Sequence, residues 1–188
     1  MRRLSVFNSV TLDGYFTGLN GDMSWARKDP QDAEWNSFVT GNSSSDGPLV
    51  FGRVTYEMMV SFWPTPMAIQ NIPEVAAGMN ARPKIVFSRT LVSADWNNTT
   101  LVKGDVTTEI RRMKQEPGGD MVILGSGNIV SQLAQAGLID EYQIALTPIV
   151  LGQGRTMFET VKGKLALKLI KTRSFANGSM VLYYEPLG

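Results

Sequence analysis

Short apolar runs at 49–51, 84–87, 100–102 and 121–124 stand out in the middle of the chain. Between them, apolar residues recur at the three- and four-residue spacing that is typical of amphipathic helices. Strands that alternate with helices in this way predict right-handed crossovers and a mainly parallel sheet. A further strand is predicted over 4–10, so the pattern indicates an α/β fold.

Beyond residue 139 the pattern changes from helical spacing to alternation. Apolar residues alternate with polar ones over 142–146 and again over 165–169, which is typical of half-buried strands. The dipeptide Asn177-Gly178 is a strong signal for a tight hairpin turn. The carboxyl end therefore predicts antiparallel strands added to the parallel core. We expect all 188 residues to form a single domain, 1–188.

The composition narrows the possible chemistry. Lys and Arg together number 18 against 17 for Asp and Glu, and the chain contains neither Cys nor His. Disulfides, Cys or His metal sites and Ser-His-Asp catalysis are thereby excluded, and we expect no bound metal. The balanced charge predicts no nucleic-acid partner and no membrane partner. The amino terminus resembles neither a signal peptide nor a membrane span, so we expect a cytoplasmic protein.

A glycine turn lies between a strand and a helix in the stretch 121–137. Apolar residues lead directly into Gly125-Ser126-Gly127, and apolar residues at helical spacing follow until Gly137. The first N–H groups of a helix have no partner within it, and the helix dipole adds partial positive charge there. A phosphate group fits such a place, because glycine lets it approach the backbone. A tight turn without any ligand is the alternative interpretation.

Three of the predicted strands end in glycine, hydroxyl or arginine residues. These ends are Gly52-Arg53-Val54-Thr55, Ser88-Arg89-Thr90 and Gly125-Ser126-Gly127-Asn128. Ligands of open α/β sheets bind at the carboxyl ends of the strands, and the planar fork of arginine pairs with phosphate oxygens. Each end alone is compatible with an ordinary turn. Together they predict a rim that binds an anionic, nucleotide-like ligand.

A long loop over 11–29, with three glycines, precedes the first predicted helix. Loops of this length in compact domains are often binding loops or lids. Asp29-Pro30 predicts the start of the helix, which we expect to run to about residue 40. Asp32 then lies in the first helical turn, where the helix dipole alone would favour a carboxylate. Asp13, in the same loop, is a second polar candidate for the site, but its carboxylate is better explained by an Asx turn that structures the loop.

Six segments, in their order and spacing, resemble a known family. They are SVTLDGYFTG, LVFGRVTYE, KIVFSRT, TLVKGDVTTEI, VILGSGNIVSQL and LIDEYQIALTPIVLGQGRTMF. The chain resembles dihydrofolate reductase-type proteins and, more closely, stand-alone relatives of the reductase domain of bacterial riboflavin biosynthesis. The resemblance covers nearly the whole chain. It implies a dihydrofolate reductase-like three-layer α/β fold, with a mainly parallel central sheet and antiparallel carboxyl-terminal strands, that binds NADPH at its carboxyl edge.

The resemblance also implies cofactor contacts at the three strand ends. It implies phosphate contacts for Gly52, Arg53 and Thr55. It implies contacts with the adenosine ribose and its 2′-phosphate for Ser88, Arg89 and Thr90. It implies that the pyrophosphate and nicotinamide side are held by Gly125, Ser126, Gly127, Asn128, Ile129 and Val130. These are the ends that the residue pattern predicts independently.

On the substrate side the resemblance is carried by Pro30-Gln31-Asp32, followed by Trp35. In dihydrofolate reductases a helix-borne acid after a proline pairs with the pterin ring, so Asp32 is the candidate catalytic residue. A carboxylate there would accept N–H bonds from an amino-pyrimidine-like ring and assist protonation. Arg82 falls where folate enzymes hold the carboxylate tail of the substrate, and a solvated surface arginine is the alternative.

The predicted function is an NADPH-dependent reductase that transfers a hydride to a small heterocyclic substrate. The substrate is expected to be pyrimidine- or pterin-like, as in 5-amino-6-(5-phosphoribosylamino)uracil reductase or dihydrofolate reductase, and the long loop is expected to close over the nicotinamide. The alternative is a non-catalytic NADP(H)- or nucleotide-binding module of the same fold. The resemblance also implies a homodimer formed through the late strands.

Overall fold

The computed structural model describes residues 1–43 and 45–187, which are organised around one eight-stranded sheet. The strands are β1 (Leu4–Thr11), β2 (Leu49–Gly52), β3 (Lys84–Phe87), β4 (Thr99–Val102), β5 (Met121–Leu124), β6 (Glu141–Thr147), β7 (Leu167–Ser174) and β8 (Met180–Pro186). Their order across the sheet is β4-β3-β2-β5-β1-β6-β8-β7. The first six strands in this order are parallel, whereas β8 runs antiparallel to both β6 and β7. The predicted mixed sheet is confirmed.

In the described part of the chain, six α-helices lie between the strands. They are α1 (Ala33–Ser43), α2 (Arg53–Val60), α3 (Pro66–Asn71), α4 (Pro73–Ala81), α5 (Val106–Gln115) and α6 (Gly127–Gln135). Two short 3-10 turns, Leu19–Gly21 and Ser24–Ala26, lie in the long loop after β1. Within the described ranges no helix combines the length and the apolar character that a membrane span needs.

Helices cover both faces of the sheet and produce three layers. On one face, Val50 and Ile123 pack against Ile110 of α5 and Leu133 of α6. The opposite face has two buried clusters, one with Leu49, Phe51 and Val86 against α2 and α4, the other with Trp35 and Phe38 of α1. Neighbouring residues of a strand point to opposite faces. The short central strands are therefore apolar throughout because both of their faces are covered.

The start of α1 differs from the prediction. The helix begins at Ala33 rather than after Asp29-Pro30, and its capping residue is Asp32, whose carboxylate accepts the Trp35 N–H at 3.0 Å. Asp29 accepts the N–H of Gln31 at 2.8 Å instead. Both aspartates are good capping residues. The sequence alone does not decide between two such candidates three positions apart.

The carboxyl-terminal hairpin forms as the turn residues predict. Gly178 has a φ of +83°, which glycine adopts without strain, and the Phe175 N–H donates to the Ser179 carbonyl at 3.0 Å. Strand β7 forms the outer edge of the sheet and is largely exposed, with Leu169 and Ile170 about half accessible. This edge is a row of backbone groups available for pairing.

Candidate functional site

A groove of about 830 Å³ opens at the carboxyl ends of β1, β2 and β5 and extends over the sheet towards their amino ends. Two turns line its carboxyl end. We call them the β2 turn (residues 52–55) and the β5 turn (residues 125–129). Residues close to the amino ends of strands, among them Arg3, Arg82 and Asp120, line the opposite end. The volume is in the range of pockets that hold cofactors and small substrates.

The two turns approach each other so closely that position 125 requires glycine. Gly125 has a φ of +62°, and a Cβ built there lies 2.8 Å from Cγ2 and 3.0 Å from Oγ1 of Thr55. A Cβ at Gly127 would lie 3.2 Å from the ring of Phe16. A Cβ is thus excluded at Gly125 and crowded at Gly127, so bare backbone lines the groove at these two positions.

Hydroxyl groups join the two turns. The Ser126 Oγ accepts the Gly52 N–H at 2.7 Å and donates to the Thr55 Oγ1 at 2.8 Å. The Ser126 N–H donates to the same Thr55 oxygen at 2.9 Å. From β1, the Asn8 side-chain oxygen accepts the Gly125 N–H at 2.7 Å. These backbone amides and the Ser126 hydroxyl therefore have partners inside the protein.

Helices α2 and α6 begin in these turns, at Arg53 and Gly127. Helix geometry leaves the first N–H groups of each without intrahelical partners, at the positive end of the dipole. In α6 the Val130 N–H already donates to the Ser126 carbonyl at 3.0 Å, so the three preceding amides form the donor set. Two such helix ends beside bare glycine backbone fit the phosphates of a dinucleotide.

Two arginines provide positive charge at this end of the groove. Arg53 is half exposed and pairs with Glu57 at 2.9 Å, and Arg155, which also lines the groove, pairs with Glu159 at 2.9 Å. Exposed pairs of this kind are weak. A phosphate can therefore draw either guanidinium away from its carboxylate at little cost.

Most of the predicted cofactor residues do line the groove. Those are Gly52, Arg53, Thr55, Gly125, Ser126, Gly127, Asn128 and Ile129. Val130 is fully buried in the core, so its side chain faces away from any ligand. Residues 88–90 follow β3 at the same sheet edge but lie outside the groove lining. The Ser88 hydroxyl closes a local turn there by accepting the Leu91 N–H at 3.0 Å.

Sequence reasoning did not name several residues of the groove, although it predicted a role for the long loop that carries three of them. They come from mid-strand β1 and from two loops: Phe7, Asn8, Ser9, Phe16, Thr17, Met23, Arg155 and Thr156. The loops meet through an antiparallel bridge between Thr17 and Arg155. Which residues of the two loops reach the groove depends on a contact between segments 138 positions apart, and no local pattern indicates that contact.

Asp13 fastens the long loop after β1, as the loop-structuring interpretation predicts. Its carboxylate accepts the Thr11 hydroxyl at 2.6 Å and the Gly152 N–H at 2.7 Å. The hydrogen bond from Thr11 is the main cause that lowers the pKa of Asp13. The part of the loop over 12–17 is thus tied to the segment after β6, and Phe16 and Thr17 form a fixed wall of the groove.

Asp32 has a structural role and does not belong to the groove lining. One carboxylate oxygen caps α1, and the other accepts the Asn177 side-chain amide of the hairpin at 2.6 Å. The hydrogen bond from the Trp35 N–H, followed by that from Asn177, lowers the pKa of Asp32. An ionised carboxylate at neutral pH has no proton to give. Its catalytic role stays a prediction that this geometry does not favour.

Lys28 is an ionisable group that sequence reasoning overlooked. Its Nζ donates to the Thr147 Oγ1 at 3.0 Å and lies 5.3 Å from the centre of the Trp35 ring. Thr147 pairs with Thr11, two residues beyond the groove residue Ser9 on the same face of β1. Burial is the main cause that lowers the pKa of Lys28.

Arg82 is buried at the amino-end part of the groove, so the interpretation as a solvated surface arginine is wrong. Its side chain is 5% exposed, and its Nε donates to the Gly47 carbonyl at 2.8 Å. Its Nη2 is buried without a hydrogen-bond partner among residues 1–43 and 45–187. A buried guanidinium nitrogen without a partner is costly, and the carboxylate that acts on this guanidinium through its charge is that of Asp46.

Comparison with known proteins shows the family to which the chain belongs. The model of the family described as RibD C-terminal domain matches residues 2–181. The chain therefore belongs to the RibD C-terminal domain family, which is a family of NADPH-dependent reductases. The uncharacterized protein YyaP of Bacillus subtilis (strain 168) is 28% identical over 184 residues, which cover 98% of this chain and 95% of YyaP.

Solved structures confirm the dihydrofolate reductase-like fold. A putative riboflavin biosynthesis protein from Shewanella sp. PV-4 has a TM-score of 0.75 at 24% identity, and the match covers 99% of both chains. Dihydrofolate reductase from Enterococcus faecalis, complexed with NADP(H) and RAB-propyl, has a TM-score of 0.65 at 16% identity. That match covers 99% of this chain and 97% of the reductase.

Proposed function

We propose that this protein is an NADPH-dependent reductase that transfers a hydride to a small heterocycle, pyrimidine- or pterin-like. The observation that carries the proposal is the convergence of two helix N-termini, two glycine turns and Arg53 on one groove. Such a donor set recognises a diphosphate. Membership of a reductase family supports the same conclusion.

In this proposal the protein holds the cofactor, orients it towards the substrate and shields the nicotinamide from water. The first amides of α2 and α6, together with Arg53, hold the phosphates. Residues 88–90, at the neighbouring strand end, discriminate the 2′-phosphate. When bound, NADPH supplies the hydride. Phe16 and Met23 of the long loop exclude water from the nicotinamide end of the groove, because hydride transfer needs a dry and fixed geometry.

The substrate lies over the apolar side chains of Phe7, Val39 and Leu124, which line the middle of the groove. Arg82, with its unpaired Nη2, is the partner for an anionic tail at the far end. We therefore propose a flat ring that carries a carboxylate or phosphate tail. Both named substrate types fit this description.

The proton that accompanies the hydride comes from Lys28 in this proposal. Lys28, like Asp32, lies outside the groove lining, but its partner Thr147 is at the carboxyl end of β6, beside that of β1. The chain has no histidine, and the Asp32 carboxylate has two other partners. A half-buried ammonium with a lowered pKa is a better acid than an ordinary lysine.

The second candidate is a non-catalytic NADP(H)- or nucleotide-binding module. The full engagement of Asp32 as a helix cap favours it, because the acid predicted to assist catalysis is absent from the groove lining. This candidate predicts binding of NADPH without its consumption by any pyrimidine or pterin.

Turnover separates the two candidates. The absorbance of reduced nicotinamide is followed while pterin and pyrimidine substrates, each with and without an anionic tail, are added to the protein and NADPH. The reductase proposal predicts consumption of NADPH with a tailed substrate, and a higher KM for the same ring without its tail. Binding of NADPH without consumption by any member of the panel would contradict it.

The protein is further proposed to act as a homodimer that buries the exposed edge strand β7, with Leu169 and Ile170 in the contact. Sedimentation at low and high protein concentration tests this, with Ile170→Lys as the disruptive variant and Val92→Lys as the control. Val92 is 95% exposed and lies outside the strands. A monomeric wild type would contradict the proposed dimer.

A further inference from the structure

The Ser126 hydroxyl occupies an unusual place between the two helix N-termini. It accepts a hydrogen bond from Gly52, at the start of the β2 turn, and donates one to Thr55, in the first turn of α2. Ser126 is 9% exposed and adopts the left-handed conformation, with φ of 57° and ψ of 59°. Non-glycine residues rarely adopt this conformation, so surrounding contacts hold it in place.

The backbone and hydroxyl groups of Ser126 between the two turns all form hydrogen bonds within the protein. Its N–H donates to Thr55, its Oγ both accepts and donates, and its carbonyl accepts the Val130 N–H. The hydroxyl proton is therefore committed to Thr55 rather than to a ligand. This differs from the expectation that Ser126 contacts the pyrophosphate directly.

The hydrogen bonds of the Ser126 hydroxyl affect the relative position of α2 and α6, which are far apart in sequence. Gly52 and Ser126 are separated by 74 positions, and the strands β2 and β5 that lead to them share only a short register at Leu49 and Val50. The hydroxyl bridges extend this pairing past the ends of the strands. They fix the distance between the amide donors of α2 and those of α6.

We propose that Ser126 is a positioning residue for dinucleotide binding: its hydroxyl joins the N-termini of α2 and α6 so that both act on one ligand together. This inference rests on the proposed function. A ligand that spans both helix ends gains affinity from their fixed spacing, because its second half binds at a high effective concentration. A ligand that touches one end gains nothing from the bridge.

The substitution Ser126→Ala tests this. It removes the Oγ but keeps the Cβ, and with it the energetic cost of the left-handed backbone conformation. Ser131→Ala is the matched control. Ser131 is 2% exposed on the same helix, but its hydroxyl donates to the Met157 carbonyl at 2.9 Å rather than to either turn. Calorimetry measures the binding of NADPH and of its two halves, adenosine 2′,5′-bisphosphate and reduced nicotinamide mononucleotide.

Loss of the bridge is expected to weaken NADPH binding about tenfold, the effect of losing roughly one well-made hydrogen bond. Each half should bind Ser126→Ala within about twofold of the wild type, a spread well below that factor of ten. Ser131→Ala should leave the ratio of dinucleotide to half-molecule affinity unchanged. Unchanged NADPH binding in Ser126→Ala would overturn the inference. So would equal weakening of NADPH and one half, since that result indicates direct contact.

A ligand-free measurement separates this inference from the proposed function. Amide hydrogen exchange over 49–56 reports on the β2 turn alone. Ser126→Ala should speed exchange at Gly52 in the absence of any nucleotide, whereas Ser131→Ala should not. If wild type fails to bind NADPH, the proposed function fails. The exchange result then decides alone whether the bridge links the turns, and unchanged exchange overturns it.

Discussion

The two ends of the groove are built on different principles. At the carboxyl end, the β2 and β5 turns present backbone amides, and hydrogen bonds of 2.7, 2.8 and 2.9 Å through the Ser126 and Thr55 hydroxyls hold the two turns together. At the opposite end a single long side chain, that of Arg82, lines the groove and is held by the Gly47 carbonyl, so recognition there depends on the residue at one position. A backbone site suits an invariant group such as a phosphate.

The largest effect is expected from a substitution in the β5 turn, at the carboxyl end of the groove. Gly125→Ala should abolish measurable NADPH binding and destabilise the fold by about 2–4 kcal/mol, because the new methyl group overlaps Thr55 and the backbone is left-handed. Gly137→Ala is the control, since Gly137 has nearly the same φ, +63°, and open space around its Cβ. It should cost only about 1 kcal/mol and leave binding intact. Chemical denaturation and calorimetry measure both effects, and equal outcomes would refute the packing argument.

The next largest effect is expected at the proposed proton donor, Lys28. Lys28→Met should lower kcat about a hundredfold, the usual contribution of general acid catalysis, with little change in NADPH affinity. In the wild type, kcat should fall as pH rises through the lowered pKa of Lys28, because the acid form is lost. Lys171→Met provides the control, because its ammonium also lies 5.3 Å from an aromatic ring, that of Tyr183. Steady-state kinetics that give the same kcat for both variants would argue against Lys28.

Arg53→Met tests charge at the carboxyl end. Loss of a charge-assisted hydrogen bond should weaken NADPH binding about tenfold to a hundredfold. Stability should hardly change, because the exposed pair with Glu57 contributes little. Arg112→Met is the control, as Arg112 forms comparable exposed pairs on α5, outside the groove lining. Titration calorimetry that finds both variants equal to wild type would remove Arg53 from the site.

A pH effect comes from Lys84, next to Arg82 at the opposite end of the groove. Burial, with a smaller contribution from Arg82, lowers the pKa of Lys84 to about 8, from 10.5 for the exposed group. Between these pH values the unfolded chain binds one more proton than the folded protein. The free energy of unfolding should therefore rise with pH over this window, by at most about 1.4 kcal/mol per unit. Lys84→Met should lack that rise in denaturation at several pH values, and an unchanged pH dependence would contradict the assignment.

The smallest expected effect distinguishes the two roles of Asp32. Asparagine caps helices as well as aspartate does, so Asp32→Asn should retain both thermal stability and turnover. Asp32→Ala should lower Tm by a few degrees while kcat holds. Loss of turnover in a folded Asp32→Asn protein would restore Asp32 as the catalytic acid.

The sequence predicts the carboxyl end of the groove well, because its signals are local. Strand, glycine turn and helix follow one another at 49–60 and 121–135, and parallel strands bring their carboxyl ends together. It is the resemblance that adds Val130 to the cofactor residues, whereas its position on the helix turns its side chain into the core.

The roles of Asp32, Lys28 and Arg82 resist prediction because their partners are distant in sequence. Asp32 is bound by Asn177, Lys28 by Thr147 and Arg82 by Gly47. The cap of α1 by Asp32 is local, but the hydrogen bond that engages its second carboxylate oxygen forms only when the carboxyl-terminal hairpin packs beside α1. No spacing rule conveys that information.

The most direct test of the account is the melting temperature of the intact protein with NADPH, with NADH and without ligand. A ligand at a hundred times its Kd stabilises the fold by about 2.7 kcal/mol, which is roughly 5–10 °C for a domain of this size. The account predicts such a shift with NADPH, a smaller one with NADH, and none with NADPH in Gly125→Ala. The absence of a shift with either nucleotide in the wild type would contradict it.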